Sequence, residues 1–138
     1  MPTGRLAFIQ LCFGQFDESV RTYAHVFSLD PLAPPARYHY ALALAAAGST
    51  DEALRCIEEG RKFLGDSLLL QETLCSVLEM SGDTATAASV SQKALSQYPG
   101  SVSIMMHAAR GLAAQGLLAE ARALCDRYAT SATATAAA

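Results

Sequence analysis

Gly14, Gly48, Gly82 and Gly116 recur at intervals of 34 residues, and similar sequence surrounds each of them. A fixed period of this size marks a repeat array, in which one supersecondary unit is copied along the chain and each copy buries its apolar face against the next. Two runs of helical spacing flank every glycine, so the unit is a helix, a tight turn and a second, antiparallel helix. Glycine at the end of the first helix adopts a left-handed backbone conformation without steric cost, which ends that helix and turns the chain into the next. The spacing restricts the chain to an all-α fold built from helix pairs.

Numbering each unit so that its glycine is position 15 brings chemically similar residues into register. The first unit reads Gly14-Gln15-Phe16-Asp17-Glu18-Ser19-Val20, then Tyr23, Val26, Leu29, Asp30 and Pro31. The second has Tyr40, Ala41 and Leu44 before Gly48, then Asp51-Glu52-Ala53-Leu54, Ile57 and Gly60, with Gly65 in place of the closing proline. The third has Leu74, Cys75, Leu78, Gly82, Ala87, Val90, Ala94 and Pro99; the fourth has Ala108, Ala109, Leu112, Gly116, Glu120-Ala121, Leu124 and Tyr128. Small residues at positions 8 (Ala7, Ala41, Cys75, Ala109) and 20 (Ser19, Ala53, Ala87, Ala121) let the paired helices approach closely. Asp17-Glu18, Asp51-Glu52 and Glu120 fall in the first turn of the second helices, where acidic groups complement the helix dipole. Pro31 and Pro99 stop those helices.

This pattern resembles the tetratricopeptide repeat family, whose G-x-Y-x-E-A and L-D-P signatures the first unit follows most fully. The resemblance covers residues 1–129 as one domain, with repeats at about 1–33, 34–66, 67–100 and 101–129. It implies an all-α solenoid of antiparallel helix pairs, a right-handed superhelix whose first helices line a concave groove. Residues 130–138 form a low-complexity Ala/Thr tail, expected to be frayed or disordered. Thr3 and Gln10 stand where the family favours large side chains, as suits an end repeat. Gln71 departs in the same way inside the array and is expected to face outward.

The resemblance implies a non-enzymatic adaptor or scaffold that binds a peptide or helix of a partner protein in the groove. Carrying the family's groove-facing positions onto this chain yields Arg5, Phe8, Leu11 and Cys12 in repeat 1, and Tyr38, His39, Leu42 and Ala45 in repeat 2. Repeat 3 supplies Glu72, Thr73, Ser76, Glu79 and Met80; repeat 4 supplies Met106, His107, Arg110 and Ala113. The principal candidates are Arg5, Phe8, Tyr38, His39, Leu42, Glu72, Ser76, Glu79, Met106, His107 and Arg110. Tyr38, Phe8, Leu42 and Met106 are the expected apolar anchors, and Glu72 is placed to pair with a basic group or to tune His39 or His107. The clamp with which related co-chaperones hold the C-terminal carboxylate of heat-shock proteins is absent, since Gly4, Phe8, His39, Leu69 and Thr73 occupy its positions. Two narrower readings are a dedicated chaperone similar to those of type III secretion, and a segment of a longer repeat array.

Composition removes several other classes. A net charge of −3 and a pI near 5.5 argue against a nucleic-acid partner, which calls for a basic stripe to neutralise phosphates. Met1-Pro2-Thr3-Gly4-Arg5 carries no secretory signal, and the most apolar stretch, Ala41 to Ala47, is too short to span a bilayer, so a cytoplasmic, membrane-free protein is expected. Cys12, Cys56, Cys75 and Cys125 show no zinc-ligand spacing and are expected to be small buried hydrophobes. His39 and His107 are separated by a whole repeat and cannot share a metal, and no nucleophile, phosphate-loop or metalloprotease motif is present. No cofactor, metal or catalytic residue is expected. At the other end, Leu117, Leu118, Leu124 and Tyr128 precede a tail without a polar capping helix, so they are expected to be under-covered and to favour self-association there.

Overall fold

The computed structural model describes residues 3–31 and 34–137; Met1, Pro2, residues 32–33 and Ala138 lie outside the described residues. The described residues form eight helices and no strand: α1 (Gly4–Cys12), α2 (Phe16–Leu29), α3 (Pro34–Ala46), α4 (Thr50–Leu64), α5 (Leu68–Met80), α6 (Thr84–Gln97), α7 (Val102–Ala114) and α8 (Leu118–Ala137). They pair as hairpins, α1 with α2 through α7 with α8, and each first helix also packs on both helices of the repeat before it. The result is an α-solenoid.

The turns follow from the glycines. Gly14, Gly48, Gly82 and Gly116 have φ of 78°, 90°, 84° and 81°, the left-handed region that side chains rarely adopt. The residue after each glycine donates back into the helix it has left: Gln15 N to Gln10 O (2.9 Å), Ser49 N to Leu44 O (2.8 Å), Asp83 N to Leu78 O (3.0 Å) and Leu117 N to Leu112 O (2.9 Å). These bonds satisfy carbonyls that a helix end otherwise leaves open. At the opposite ends, Thr3, Ser67, Asp83 and Ser101 accept a backbone N–H of the first turn through their side chains, fixing where α1, α5, α6 and α7 begin.

Between paired helices the small residues are buried as their positions require: Ala7, Ala41, Cys75, Ser19, Ala53, Ala87 and Ala121, with Ala109 half-buried. Ser19 Oγ donates to the Ala7 carbonyl at 2.7 Å, so even the polar member of the set is satisfied within the contact. The largest core cluster joins Tyr38, Leu44 and Ile57 of repeat 2 to Leu70 and Val77 of repeat 3.

Several expectations are corrected. Gln71 is buried, not outward-facing, because its amide donates to Asp66 just ahead of α5 and so enters the interior satisfied. Cys56 and Cys75 are buried, whereas Cys12 and Cys125 are exposed. The last helix runs through the Ala/Thr tail to Ala137, since alanine carries the strongest helix propensity and no glycine or proline interrupts it. Leu124 is buried and Tyr128 half-buried, while Leu117 and Leu118 are exposed.

Arg37 was not anticipated. It sits at position 4 of repeat 2 and is almost fully buried, with its guanidinium 4.4 Å above the Phe27 ring. It donates to the carbonyls of Pro31 (3.0 Å) and Cys56 (3.3 Å) and approaches Glu59 at 3.6 Å. Gly60 leaves the room: a Cβ there would lie 2.6 Å from Arg37 Cδ.

Candidate functional site

The first helices contact one another in succession, α1 with α3, α3 with α5 and α5 with α7, and their shared face carries two separate groups of candidate residues. At the N-terminal end, Arg5, Phe8 and His39 come together in a pocket of about 880 Å³, lined also by Ile9, Tyr23 and Ala36. The Phe8 and His39 ring centroids are 5.0 Å apart and those of Tyr23 and His39 6.2 Å, so the imidazole is framed by two aromatic rings. Burial lowers the His39 pKa below its ordinary 6.5, which keeps the ring neutral at pH 7. Burial pushes the Tyr23 hydroxyl up to about 12, with proximity to Cys12 adding to the rise. Arg5 is exposed and makes no ion pair with the described residues.

The second group lies between α5 and α7. His107 Nδ1 is 2.7 Å from Glu79 Oε1, and Arg110 Nη1 is 3.8 Å from Glu79 Oε2. Met106 and Met80 are exposed beside this network, and Ser76 and Glu72 are half-buried one and two turns earlier on α5. Cys75, behind it, is held in the neutral thiol form: burial raises its pKa to about 11, with Glu79 reinforcing the shift. A second cavity, of about 490 Å³, lies away from these residues, between α6, α7 and α8, and is lined by Gln92, Glu120 and Arg127 among others.

Two candidates change role. Tyr38 is only 2 % exposed and belongs to the central core, so it offers almost no contact area to a ligand. His107 is buried and takes Glu79, not Glu72, as its carboxylate. The reason is a stagger between consecutive first helices. Phe8 meets His39, which is 31 residues later, and Glu79 meets His107, which is 28 residues later, although the repeat is 34. Positions 9 and 6 meet across α1 and α3, and positions 12 and 6 across α5 and α7, so these two contacts join residues three and six places out of register. Leu42, the remaining candidate, is half-buried against the core.

Among the described residues no three histidine, cysteine, aspartate or glutamate side chains are grouped to hold a metal, and no helix is long and apolar enough to cross a membrane. The helix pairing, turn chemistry and stacking can be set beside known proteins. Two tetratricopeptide repeat family models match the sequence, over residues 11–59 and 78–138. This chain is a tetratricopeptide repeat protein. Its fold is similar to that in the crystal structure of a tetratricopeptide repeat protein from Parabacteroides merdae, with a TM-score of 0.81 at 15 % identity over 92 % of this chain. The chain covers 50 % of that protein. No curated protein matches it in sequence at a significant level. Tetratricopeptide domains generally mediate contacts between proteins.

Proposed function

We propose that this tetratricopeptide protein is a non-enzymatic adaptor that binds a segment of a partner protein along the face formed by α1, α3, α5 and α7. The observation that carries the reading is the pocket joining Arg5, Phe8 and His39: it is apolar, has an unpaired cation at its edge, and no carboxylate lines it among the described residues. Such a pocket suits a bulky apolar side chain flanked by an acidic residue. Met80 and Met106 supply adaptable apolar contact further along, beside the polar Glu79–His107–Arg110 network.

The test is affinity capture from the native cell extract with the wild type and with a Phe8→Ala, Met106→Ala double variant, both residues being exposed and outside the core. Loss of one abundant partner from the variant, with capture retained by a Leu118→Ala control on the exposed surface of α8, supports groove recognition. Equal capture by both proteins sinks it. If the captured partner aggregates when expressed without this protein, the reading narrows to a dedicated chaperone.

A further inference from the structure

The pocket between α1 and α3 holds two hydrogen-bonding groups that the protein itself leaves unused. Tyr23 lines it from α2 and is only 1 % exposed, yet its hydroxyl meets no hydrogen-bond partner among the described residues. A hydroxyl buried in that way carries a desolvation cost with nothing to offset it. The fold does not require one there, since the equivalent residue of repeat 2 is Ile57, an aliphatic side chain that is equally buried. His39 joins the pocket from α3, where it contacts the Phe8 and Tyr23 rings and forms no hydrogen bond with the described residues. As a neutral imidazole it offers one donor and one acceptor.

These two groups restrict what the pocket can take. A leucine or phenylalanine fills the apolar wall of Phe8, Ile9 and Ala36 but leaves both groups unpaired. A tryptophan donates one bond and accepts none, so it serves one of them. A side-chain amide serves both but buries little apolar area. A tyrosine carries a hydroxyl that accepts and donates at once, on a ring suited to pack against Phe8. Arg5, exposed and without an ion pair among the described residues, adds a preference for acidic neighbours. We propose that this pocket receives a tyrosine side chain of the partner, whose hydroxyl accepts a hydrogen bond from Tyr23 and donates one to the His39 ring, with an adjacent acidic residue reaching Arg5. The inference rests on the adaptor reading above and adds to it the identity of the anchor. The Tyr23 hydroxyl is covered, so the phenol reaches it by shifting a side chain of the pocket wall, a rotamer change that interfaces commonly make.

Nuclear magnetic resonance titration with two capped tripeptides, acetyl-Glu-Tyr-Glu-amide and acetyl-Glu-Phe-Glu-amide, tests this. The wild type is expected to bind the tyrosine peptide about fivefold more tightly, because a site built around a hydroxyl rejects the analogue that lacks it. In Tyr23→Phe the ratio is expected to fall to about one. Without peptide, Tyr23→Phe is expected to melt at or above the wild-type temperature, since it removes an unpaired hydroxyl; a marked fall would show that the hydroxyl is satisfied within the protein and would overturn the inference. Equal binding of the two peptides by the wild type overturns it as well, and if Phe8→Ala weakens both, the adaptor reading stands with a purely apolar anchor. A tyrosine preference that survives in Tyr23→Phe, or no binding of either peptide, also defeats the inference, while the capture experiment decides the adaptor reading separately.

Discussion

Arg37 and His39 are two residues apart on α3, and their surroundings decide opposite electrostatic fates. Arg37 enters the interior charged because two carbonyls, an aromatic face and Glu59 receive it, and because Gly60 offers no side chain to obstruct it. His39 is half-buried between Phe8 and Tyr23 and is held neutral. With the folded pKa below the unfolded value of 6.5, the unfolded chain takes up a proton first as pH falls, so the His39 contribution is complete above pH 6.5 and declines below it. The melting temperature is expected to drop on going from pH 7 to pH 5, and to drop less in His39→Gln. Equal slopes in thermal melts of the two proteins would show that the imidazole is not desolvated. Neither role was legible in the sequence. An arginine at a position that prefers large apolar groups reads as exposed unless the carbonyls it reaches are known, and one of these, that of Cys56, comes from the neighbouring helix α4. The polar exceptions Gln71 and Arg37 share one explanation, which is that burial is tolerated where an acceptor waits in the interior.

At the scale of the helix, the pattern foretold most of what is found: the pairing, the left-handed glycines and the small residues between partners all follow from local chemistry repeated every 34 residues. The α6–α7 contact shows how tight the consequence is. An alanine at Gly111 would set its Cβ 2.7 Å from the Ala88 Cβ and 2.8 Å from its Cα, a backbone atom that cannot swing aside. The gain in helix propensity is about 1 kcal/mol, against an overpacking cost of roughly 1–3 kcal/mol. Gly111→Ala is therefore expected to lower stability by up to about 2 kcal/mol in urea unfolding, despite replacing a mid-helix glycine. A gain in stability would mean that α6 and α7 lie farther apart. The stagger of successive first helices was hidden because periodicity aligns equivalent positions and carries no information on how far one helix slides past the next. That slide is what moved His107 from Glu72 to Glu79.

Over the whole molecule, burial is uneven. α5 buries Leu70, Gln71, Thr73, Cys75, Val77 and Leu78, whereas α1 buries Ala7 alone. Stability in a solenoid is a sum of repeat and nearest-neighbour terms, so an end helix with one open face is the first to yield. Hydrogen exchange followed by mass spectrometry is expected to be slowest in α5 and fastest in α1 and the last turns of α8; uniform protection across the helices would contradict a one-dimensional array. The stacked layout was plain from the glycine interval, but the exposure of Leu6, Ile9 and Phe13 was not, because it depends on which helix faces find a neighbour rather than on the repeat signature. The out-of-register contacts between first helices also have a bearing on whatever lies across them. A bound strand would run on a slant to the helices and not square to them, so its anchoring side chains would be spaced by the slide as much as by the repeat. Like the scale of a vernier, the face would read length: lengthening the segment between two anchors by one residue would spoil the fit at one end while leaving every individual contact chemically possible.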